Sequence, residues 1–445
     1  MDADWKKLTP DEKLQRRLDA WLSPPDTHFA SPEVEAAYKA RVGRIIDAIQ
    51  LKKTPDRVPV TPSLAFFPAF YAGYTPREVM YDADKAIDAW TRVNNDFTSD
   101  CRYPIATFSG KMLELLDYKL YNWPGHGVAD DQPFQYVEGE WMKADEYDAL
   151  ISDPGDFWMR SYLPRIIGTL EPLKGLLPLA DMIELPMTPG NIARYGLPEV
   201  AGALEKLIEA GRAAQEWMRK LGPADKKLME GLGLPSTSSG FSKAPLDSIS
   251  DTLRGTRATM LDMFRQRDKL MEACERFVPL NIRLGLSGVR MGNPPIVGIP
   301  LHKGADGFMS EEQFKTLYWP TLRKVVLGLI EEGVIPRLFA EGSYNSRLEM
   351  ITDLPKGKVI WHFDYTDMAR AKEIIGDVAC LQGNVPVSLI ATGTAEQTTA
   401  YCRELIRTAG KGGGFILAGG AGFDQGRPEN VHAMVDSVMD YGVYA

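Results

Sequence analysis

Three short apolar runs of the chain end in side chains that could carry out chemistry. The run VIPRLFA is followed by Glu341, the run VIWHF contains His362 and is followed by Asp364, and the run PPIVGIPL is followed by His302. Two of the five histidines of the chain therefore lie at such ends. In an alternating β/α chain, the carboxyl ends of parallel strands meet at one edge, which is where active sites form. We expect these side chains to share one cleft.

Imidazole nitrogen and carboxylate oxygen bind Zn²⁺ at about 2.0–2.2 Å, and a catalytic zinc keeps one open position beside three protein ligands. His302, Glu341 and His362 are the predicted metal ligands, and Glu341, His362 and Asp364 are the predicted catalytic residues. Asp364 projects to the same side of a strand as His362, so it could be an alternate ligand or orient a histidine. Other interpretations remain open: Glu341 could pair with Arg347 or cap the next helix, and His362 could be a hydrogen-bonded core residue.

Six further side chains are candidate substrate-binding residues: Phe67, Asp100, Arg102, His126, Gln382 and Asn384. Phe67 belongs to an aromatic group that could form either an apolar substrate wall or part of the core. Asp100 and Arg102 could orient a polar substrate group or form an ordinary ion pair. His126, in the turn WPGHG, could line the mouth of a pocket or be satisfied by backbone groups. The two amides follow the next predicted strand, in CLQGNVP.

The elements that must position these residues alternate between strand and helix patterns. Apolar runs of strand length are separated by amphipathic stretches such as EEQFKTLYWPTLRKVVLGLIEEG and TAEQTTAYCRELIRTAG. Strands spaced by helices predict a parallel sheet. About eight strand candidates favour a closed (β/α)8 TIM barrel, an α/β fold, over an open sheet. Residues 57–445 are predicted to form this barrel.

Residues 1–56 are predicted to form an N-terminal helical extension. Thr9 and Ser31 each precede a proline and an amphipathic stretch, which is typical of the first turn of a helix. We expect these helices to pack on the barrel or on a second subunit, so a homodimer is one possible assembly.

Composition limits the classes of function. The net charge of −9 argues against nucleic acid, which requires a basic surface. Four widely spaced cysteines without a CxxC pattern favour a reducing compartment over a disulfide scaffold. The amino terminus has no apolar signal-peptide core, and no apolar run approaches the ~18 residues that a membrane helix needs. We therefore expect a cytoplasmic enzyme that binds neither nucleic acid nor membrane.

The chain resembles the uroporphyrinogen decarboxylase superfamily. The motifs that carry the resemblance are GADGFMSEEQFKTLYWPTLRKVVLGLIEEG, LQGNVP, GTAEQTTAYCRELI, GGFIL and PENVHAMVD. The resemblance spans roughly residues 57–440 and is strongest after residue 247. It implies a (β/α)8 barrel with its active site at the carboxyl ends of the strands.

Departures from two branches of the superfamily narrow the expected activity. The decarboxylase proper carries a PxWxMRQAGR-like motif, where this chain reads VPVTPSLAFFPAF and lacks the substrate-binding arginine. The thiol-methylating branch binds zinc through His-x-Cys and a later cysteine. The corresponding positions here are Phe339-Ala340-Glu341 and Gly420-Ala421-Gly422, so a thiolate-rich zinc site is not expected.

The remaining resemblance is to methyltransferases of anaerobic O-demethylase systems, which are similar in binding zinc through Glu and His. The pattern Glu-x20-His between Glu341 and His362 fits the later part of theirs, whereas Val326 replaces an earlier glutamate, so His302 takes the place of the third ligand. The resemblance implies methyl transfer from a small donor, an aryl methyl ether, to a corrinoid (cobalamin). No DxHxxG element is present, so the corrinoid is expected on a separate partner protein.

Two alternatives to this activity remain. One is a decarboxylase of a polycarboxylate that works without metal. The other is a non-catalytic barrel that serves as a binding subunit. Metal content and turnover distinguish the three.

Overall fold

The computed structural model describes residues 4–105 and 107–444. Its strands are β1 (Tyr121–Pro124), β2 (Gly127–Val128), β3 (Gln135–Tyr136), β4 (Gly240–Phe241), β5 (Ile296–Leu301), β6 (Ile335–Ala340), β7 (Ile360–Phe363), β8 (Cys380–Val385) and β9 (Phe415–Gly419). Its helices are α1 (Pro10–Leu22), α2 (Pro32–Gln50), α3 (Phe67–Tyr71), α4 (Pro76–Tyr81), α5 (Ala83–Asp96), α6 (Gly110–Leu116), α7 (Tyr147–Ser152), α8 (Pro154–Phe157), α9 (Leu163–Ile166), α10 (Thr188–Ala193), α11 (Pro198–Leu232), α12 (Pro245–Thr252), α13 (Thr256–Arg265), α14 (Arg267–Ser287), α15 (Glu311–Gln313), α16 (Trp319–Glu331), α17 (Met368–Ile375), α18 (Val387–Thr392), α19 (Ala395–Thr408) and α20 (Pro428–Tyr441).

Strands β4 to β9 form one parallel sheet in chain order. Helices lie between successive strands, as is usual for a parallel crossover, except between β6 and β7, where the connection contains only a 3-10 turn, Leu348–Met350. The outward faces of the strands are apolar: Val297, Leu338 and Trp361, for example, are fully buried against the surrounding helices. Helix packing on the outside of the sheet therefore supplies the main core.

Two extended segments complete the ring between β9 and β4. The first segment contains Val60 and Thr61, and the second contains Asp100 and Arg102. Backbone hydrogen bonds join them to each other and to the sheet: Thr61 N donates to Leu417 O (2.9 Å), Asp100 N to Val60 O (3.0 Å), and Arg102 N to Pro235 O (2.8 Å). The first segment also pairs in parallel with β9 at Val60 and Leu417. The ring thus has eight strand positions, and the predicted (β/α)8 barrel is confirmed.

The N-terminal helices cover the amino-terminal end of the barrel. Apolar side chains of α1 and α2 pack against the first inward-facing residues of the strands, forming a cluster that contains Leu14, Leu18, Trp21, Tyr38, Val42, Ile45, Ile49, Ile296, Ile335, Ile360, Cys380 and Ile416. Capping at Thr9 and Ser31 occurs as predicted, since each side chain accepts a hydrogen bond from the third residue of its helix. The opposite, carboxyl-terminal end of the barrel is left for the site. None of the helices in the described ranges is long and apolar enough to cross a membrane.

The connections between the strands are less regular than the strands. The segment LMEGL ends α11, which continues to Leu232. The segment SRLEMITDL contains only a short 3-10 turn, Leu348–Met350. Within residues 121–150, β1 pairs antiparallel with β3. Local patterns placed the strands that the barrel buries more reliably than the connections, which tertiary contacts shape.

Candidate active site

Inward-facing residues of β5 and β6 leave open space in the barrel. Gly298 and Pro300 on β5, and Arg337 and Phe339 on β6, are partly exposed, whereas their outward-facing neighbours are buried. Barrels of this kind usually fill their interior with layers of side chains. Here glycine and proline contribute little volume, so the lumen stays accessible from the carboxyl-terminal mouth.

His302 and Glu341 meet at this mouth. Nε2 of His302 lies 3.3 Å from Oε1 of Glu341, and the two side chains are 32% and 42% exposed. They follow β5 and β6, which are hydrogen-bonded neighbours, so the register of the sheet brings them together. The structure thus brings together two of the four side chains that the sequence places in one cleft.

Asp251 fixes the other side of the His302 ring. Its Oδ2 lies 2.6 Å from Nδ1 of His302. Asp251 is itself held by Lys243 at 2.6 Å, and Lys303 lies 3.4 Å from its other oxygen. A carboxylate on one imidazole nitrogen sets the tautomer and directs the other nitrogen outward. Nε2 of His302 is therefore aimed at Glu341 and the mouth.

The same carboxylates control the charge of His302. Burial alone would lower its pKa, but the hydrogen bonds to Asp251 and Glu341 and the charges of Asp251 and Asp247 raise this pKa to about 10. The imidazole therefore carries a proton at neutral pH when no other cation is present. The cluster is built around a positive charge.

Asp247 binds the backbone of the turn that carries His302. It is fully buried, and its carboxylate accepts hydrogen bonds from the backbone N of His302 (3.0 Å), the backbone N of Lys303 (3.1 Å) and the hydroxyl of Tyr318 (2.7 Å). Burial and the charge of Asp251 raise the pKa of Asp247 to about 6. The turn after β5 is thus fixed by side-chain hydrogen bonds.

Asp247 and Asp251 were not identified from the sequence. A signal was present, because carboxylates four residues apart project from one face of a helix. Every residue of α12 from Pro245 to Asp251 is buried, including the apolar Leu246 and Ile249. Two acids in such a helix require a buried partner.

Asp364 is the third acid at the mouth. Its Oδ2 accepts a hydrogen bond from the backbone N of Gly342 (3.1 Å). Burial raises the pKa of Asp364, the Gly342 hydrogen bond opposes this, and the negative charge of Glu341 raises it further. Asp364 therefore lies in the electrostatic range of Glu341 and belongs to the same cluster.

His362 does not join His302 and Glu341, so the predicted set of three metal ligands is not assembled. Its Nε2 hydrogen-bonds to the carbonyl of Gly419 at 2.8 Å, and its ring packs on Phe339 with centroids 4.7 Å apart. Burial lowers its pKa to about 4, so it is neutral. Among residues 4–105 and 107–444, no three His, Cys, Asp or Glu side chains form a group that could hold a metal. The interpretation of His362 as a hydrogen-bonded core residue fits best.

Glu341 does not pair with Arg347, the partner considered for it in the sequence analysis. Arg347 is buried and donates instead to backbone carbonyls, including those of Gly304 (3.2 Å) and Ala305 (3.4 Å). These bonds hold the loop that follows β5. Glu341 is therefore left facing His302.

Asp100 and Arg102 form ion pairs away from the mouth of the barrel. Asp100 is fully buried and paired with Arg44 (2.6 Å) and Arg57 (2.7 Å). Arg102 pairs with Asp225 at 2.6 Å. Both residues lie toward the amino-terminal end of the barrel, where the N-terminal helices pack. The second extended segment, which carries them, runs close to that end. The ordinary ion-pair interpretation is the correct one.

Phe67 and His126 also lie outside the site. Phe67 is buried in the core between Phe97 and Phe423, with ring centroids 5.6 and 5.5 Å away. His126 is on the surface, where it stacks on Trp123 and pairs with Glu114 at 2.8 Å. The core and loop interpretations are correct for these two.

Gln382 and Asn384 lie on β8 and are buried, as predicted for a strand end. Nε2 of Gln382 donates to Oγ1 of Thr61 at 3.0 Å, and Asn384 donates to the carbonyl of Thr366 at 2.8 Å. In the described ranges Oε1 of Gln382 has no hydrogen-bond partner. A ligand that donates a hydrogen bond could satisfy that atom, so Gln382 remains a candidate.

A largely apolar cavity lies on the side of the molecule that carries α6 and β1. Its volume is about 420 Å³, and its lining is almost entirely apolar: Met80, Phe108, Met112, Leu113, Leu116, Tyr118, Tyr121 and Phe134. Tyr121 packs against Tyr136 with centroids 5.4 Å apart, and the hydroxyl of Tyr136 donates to the backbone carbonyl of Asp251. The cavity is therefore joined to the His302 cluster through one aromatic side chain.

Comparisons with known proteins agree with this architecture. The chain matches the family model for uroporphyrinogen decarboxylase (URO-D) over residues 205–441. A uroporphyrinogen decarboxylase of Anaeromyxobacter dehalogenans (strain 2CP-C) is 32% identical over 139 residues, 31% of this chain and 38% of that protein. One from Coxiella burnetii (strain RSA 493 / Nine Mile phase I) is 30% identical over 79 residues, 18% of this chain and 22% of that protein. The matched segments thus span less than two-fifths of these relatives.

A solved structure, described as a methyltransferase from Methanosarcina mazei, has the same fold. It superposes with a TM-score of 0.56 at 15% sequence identity, covering 90% of this chain and 98% of that chain. The family model accounts for more than half of the sequence, and the neighbour accounts for the barrel as a whole. The chain belongs to the uroporphyrinogen decarboxylase family.

Proposed function

We propose that this protein is a metal-dependent methyltransferase that moves a methyl group from a small aryl methyl ether to a corrinoid carried by a partner protein. The observation that supports this most directly is the pair His302 and Glu341, 3.3 Å apart at the barrel mouth with Asp251 behind the imidazole. The structural neighbour described as a methyltransferase is consistent with the proposal.

The His302–Glu341 pair fits a zinc ion. Two ligands of a tetrahedral zinc with bonds of 2.0–2.1 Å lie about 3.3 Å apart, which is the separation of Nε2 and Oε1. The hydrogen bond from Asp251 to the other nitrogen is the usual partner of a metal-bound histidine. His302 and Glu341 would supply two ligands of the metal. Among the described residues no third His, Cys, Asp or Glu is grouped with them, so Asp364, whose pKa is raised by the charge of Glu341, would have to move toward the pair to become the third ligand.

Zinc, when bound, supplies a Lewis acid for the ether oxygen, since the leaving phenolate is a poor leaving group (pKa ~10 for the phenol, with Tyr as model). The reaction would break the carbon–oxygen bond of the ether and leave its electron pair on oxygen, and the corrinoid of the partner protein would supply the nucleophile that accepts the methyl group. In this chain, Asp251 keeps Nε2 of His302 directed at the mouth, and Asp247 fixes the turn that carries the histidine.

The largely apolar cavity would bind the ring of the donor. Its lining includes Phe108, Tyr121 and Phe134, which offer apolar contact and edge-to-face packing.

The test is anaerobic methyl transfer from an aryl methyl ether to cob(I)alamin, followed by absorbance. We expect turnover with the native enzyme and a loss of at least about a hundredfold in Glu341→Gln, because a metal ligand is removed. Glu349→Gln is the matched control, since Glu349 is an exposed acid paired with Arg370 at 2.6 Å. Equal turnover in both variants would refute the role of Glu341.

A polycarboxylate decarboxylase is the second candidate, because the curated relatives are uroporphyrinogen decarboxylases. Lys243 and Lys303, both near Asp251, would then contact the substrate carboxylates. Release of CO₂ by metal-free protein without methylation of cobalamin would favour this candidate. Absence of both reactions, with retained binding of a corrinoid protein, would indicate a non-catalytic subunit.

A further inference from the structure

Helix α13, which follows the helix that carries the acids of the candidate site, presents an apolar face to solvent. Met260, Leu261 and Phe264 are exposed on this face, and Phe264 is 79% exposed. They lie within about one turn of each other, so they form one patch. Thr259 and Met263, on the other face of the helix, are buried. A contiguous exposed apolar patch marks an interaction surface, whereas apolar residues exposed singly do not.

A groove of about 390 Å³ lies next to this patch, and its lining includes Gly139, Gly255, Ala258 and Leu261. Gly255 has a φ of +77°, and a Cβ atom added to it would lie 3.0 Å from the carbonyl oxygen of Gly139. Glycine therefore permits two segments to approach closely at the groove. A cavity of about 150 Å³ is enough for a benzene molecule, so the groove can accept the ring of a phenylalanine.

The charged groups beside the patch and beside the groove are complementary. Arg265, at the end of α13, is exposed and has no hydrogen-bond or ion-pair partner in the part of the chain that the structure describes. Glu138, at the groove, accepts a hydrogen bond from the first backbone N of α13 (2.6 Å), and no cation pairs with it in that same part of the chain. Arg254 is already paired with Glu140 (2.6 Å) and Asp262 (2.7 Å).

The groove as a whole is acidic. Its three acids are Glu138, Glu140 and the Asp262 that pairs with Arg254, and its two cations are Arg254 and Arg257, so its net charge is −1. One incoming cation would neutralise it. An anionic membrane is the less favourable occupant of this surface, because the chain carries a net charge of −9.

A two-fold arrangement of two copies brings the patch and the groove together. With Leu261 near the axis and the two α13 helices antiparallel, Phe264 of one copy lies opposite Ala258 of the other, since both are three residues, or about 4.5 Å, from Leu261. Arg265 is about 6 Å from Leu261 along the helix, so it lies opposite the start of α13 of the other copy, where Glu138 is bound. The same surface then serves both copies, as in an isologous contact.

We propose that α13 and the adjoining groove form a two-fold interface between two copies of this chain, with Phe264 of each copy in the groove of the other and Arg265 paired with Glu138 of the other. The helix is only about 15 Å long, so the interface is small and the dimer dissociates on dilution. The apolar faces of the N-terminal helices do not serve as the dimer surface, because they pack beneath the barrel.

The test is sedimentation equilibrium of the full-length protein over a wide range of concentrations. We expect a monomer–dimer equilibrium in the native protein and a dissociation constant at least about tenfold higher in Phe264→Ala, because a central aromatic residue contributes much of the affinity of an interface. Met439→Ala is the matched control, since it removes an apolar side chain that is 61% exposed on α20, and it should dimerise as the native protein does.

Charge reversal identifies the contact itself. Arg265→Glu and Glu138→Lys should each dimerise at least about tenfold more weakly than the native protein, because like charges then meet twice across the two-fold axis. An equimolar mixture of the two variants should recover the native affinity, because both charge pairs of the mixed dimer are opposite in sign. A variant that had failed to fold would not recover on mixing.

A native protein that is monomeric at every concentration would overturn the inference. So would native dimerisation of Phe264→Ala, or a mixture of the charge variants that dimerises no better than either alone. A dimer that is lost in Leu185→Glu but kept in Phe264→Ala would place the interface on the exposed apolar segment before α11 and would also refute it.

Discussion

Replacing Asp251 by Asn should lower the pKa of His302 while leaving the barrel folded. In the native protein this pKa is raised to about 10: burial opposes the charge, but hydrogen bonds to Asp251 and Glu341 more than offset it. A hydrogen bond to a charged group contributes about 1.5–3 kcal/mol, and one pKa unit corresponds to about 1.4 kcal/mol. The Asn variant should therefore titrate His302 near 8 to 9, since Glu341 and Asp247 remain.

The same substitution changes stability with a defined pH dependence. The pKa of His302 is higher in the folded than in the unfolded state, so its contribution is fully present below the unfolded value of about 6.5 and is lost as pH rises through about 10. The pKa of Asp251 is lowered; although burial opposes this, the hydrogen bond to His302 and the charge of Lys243 dominate, so its contribution is lost only in acid. Asp251→Asn should thus be less stable by about 2 kcal/mol from about pH 4 to pH 9, with the deficit shrinking above that range.

The assay is a pH titration of ¹⁵N-labelled histidine followed by NMR in metal-free protein. Only five histidines are present, so the His302 imidazole signals can be assigned by comparison with a His302→Gln spectrum. The control is Asp306→Asn, because Asp306 binds Ser343 (2.7 Å) and Ser346 (2.8 Å) at the mouth without contacting His302. A His302 pKa that is near 6.5 in native protein, or identical in Asp251→Asn, would refute the account of this cluster.

Three further predictions concern the barrel around the site. Burial lowers the pKa of His362 to about 4. The free energy of unfolding of the native protein should therefore fall by about 3 kcal/mol as the pH falls from 6.5 to 4. In denaturant titrations, His362→Gln should not show this loss. Asp100→Asn leaves Arg44 and Arg57 in an enclosed site without their acid, which should cost about 3–5 kcal/mol and lower the thermal midpoint without changing metal content. Trp21→Ala removes a fully buried side chain from the cluster beneath the barrel and should cost about 3–5 kcal/mol in a denaturant titration; a cost below 1 kcal/mol would show that α1 does not cover the strands.

The sequence was sufficient for the barrel and for placing His302 and Glu341 at one edge of the sheet, but it did not single out their pairing. Both depend on regular features: strands alternate with helices, and the ends of neighbouring parallel strands meet. The role given to His362 was wrong because periodicity assigns a face of the strand but not the partner of a ring nitrogen. That partner is the carbonyl of Gly419, which lies two strands away.

Two other features required the three-dimensional structure. Asp100 lies toward the end of the barrel opposite the mouth, where its carboxylate pairs with Arg44 of the N-terminal extension. Arg337 lies inside the apolar run VIPRLFA, and among residues 4–105 and 107–444 its side chain has no hydrogen-bond or ion-pair partner. Spacing along the chain contains neither kind of information.

Zinc content after equilibrium dialysis tests the central claim most directly. The native protein, His362→Gln and Glu349→Gln should each retain stoichiometric zinc, while His302→Gln and Glu341→Gln should lose most of it, because each lacks one of the two side chains that meet at the mouth. No stoichiometric zinc in the native protein, or full zinc in both His302→Gln and Glu341→Gln, would contradict the claim that this pair holds the metal.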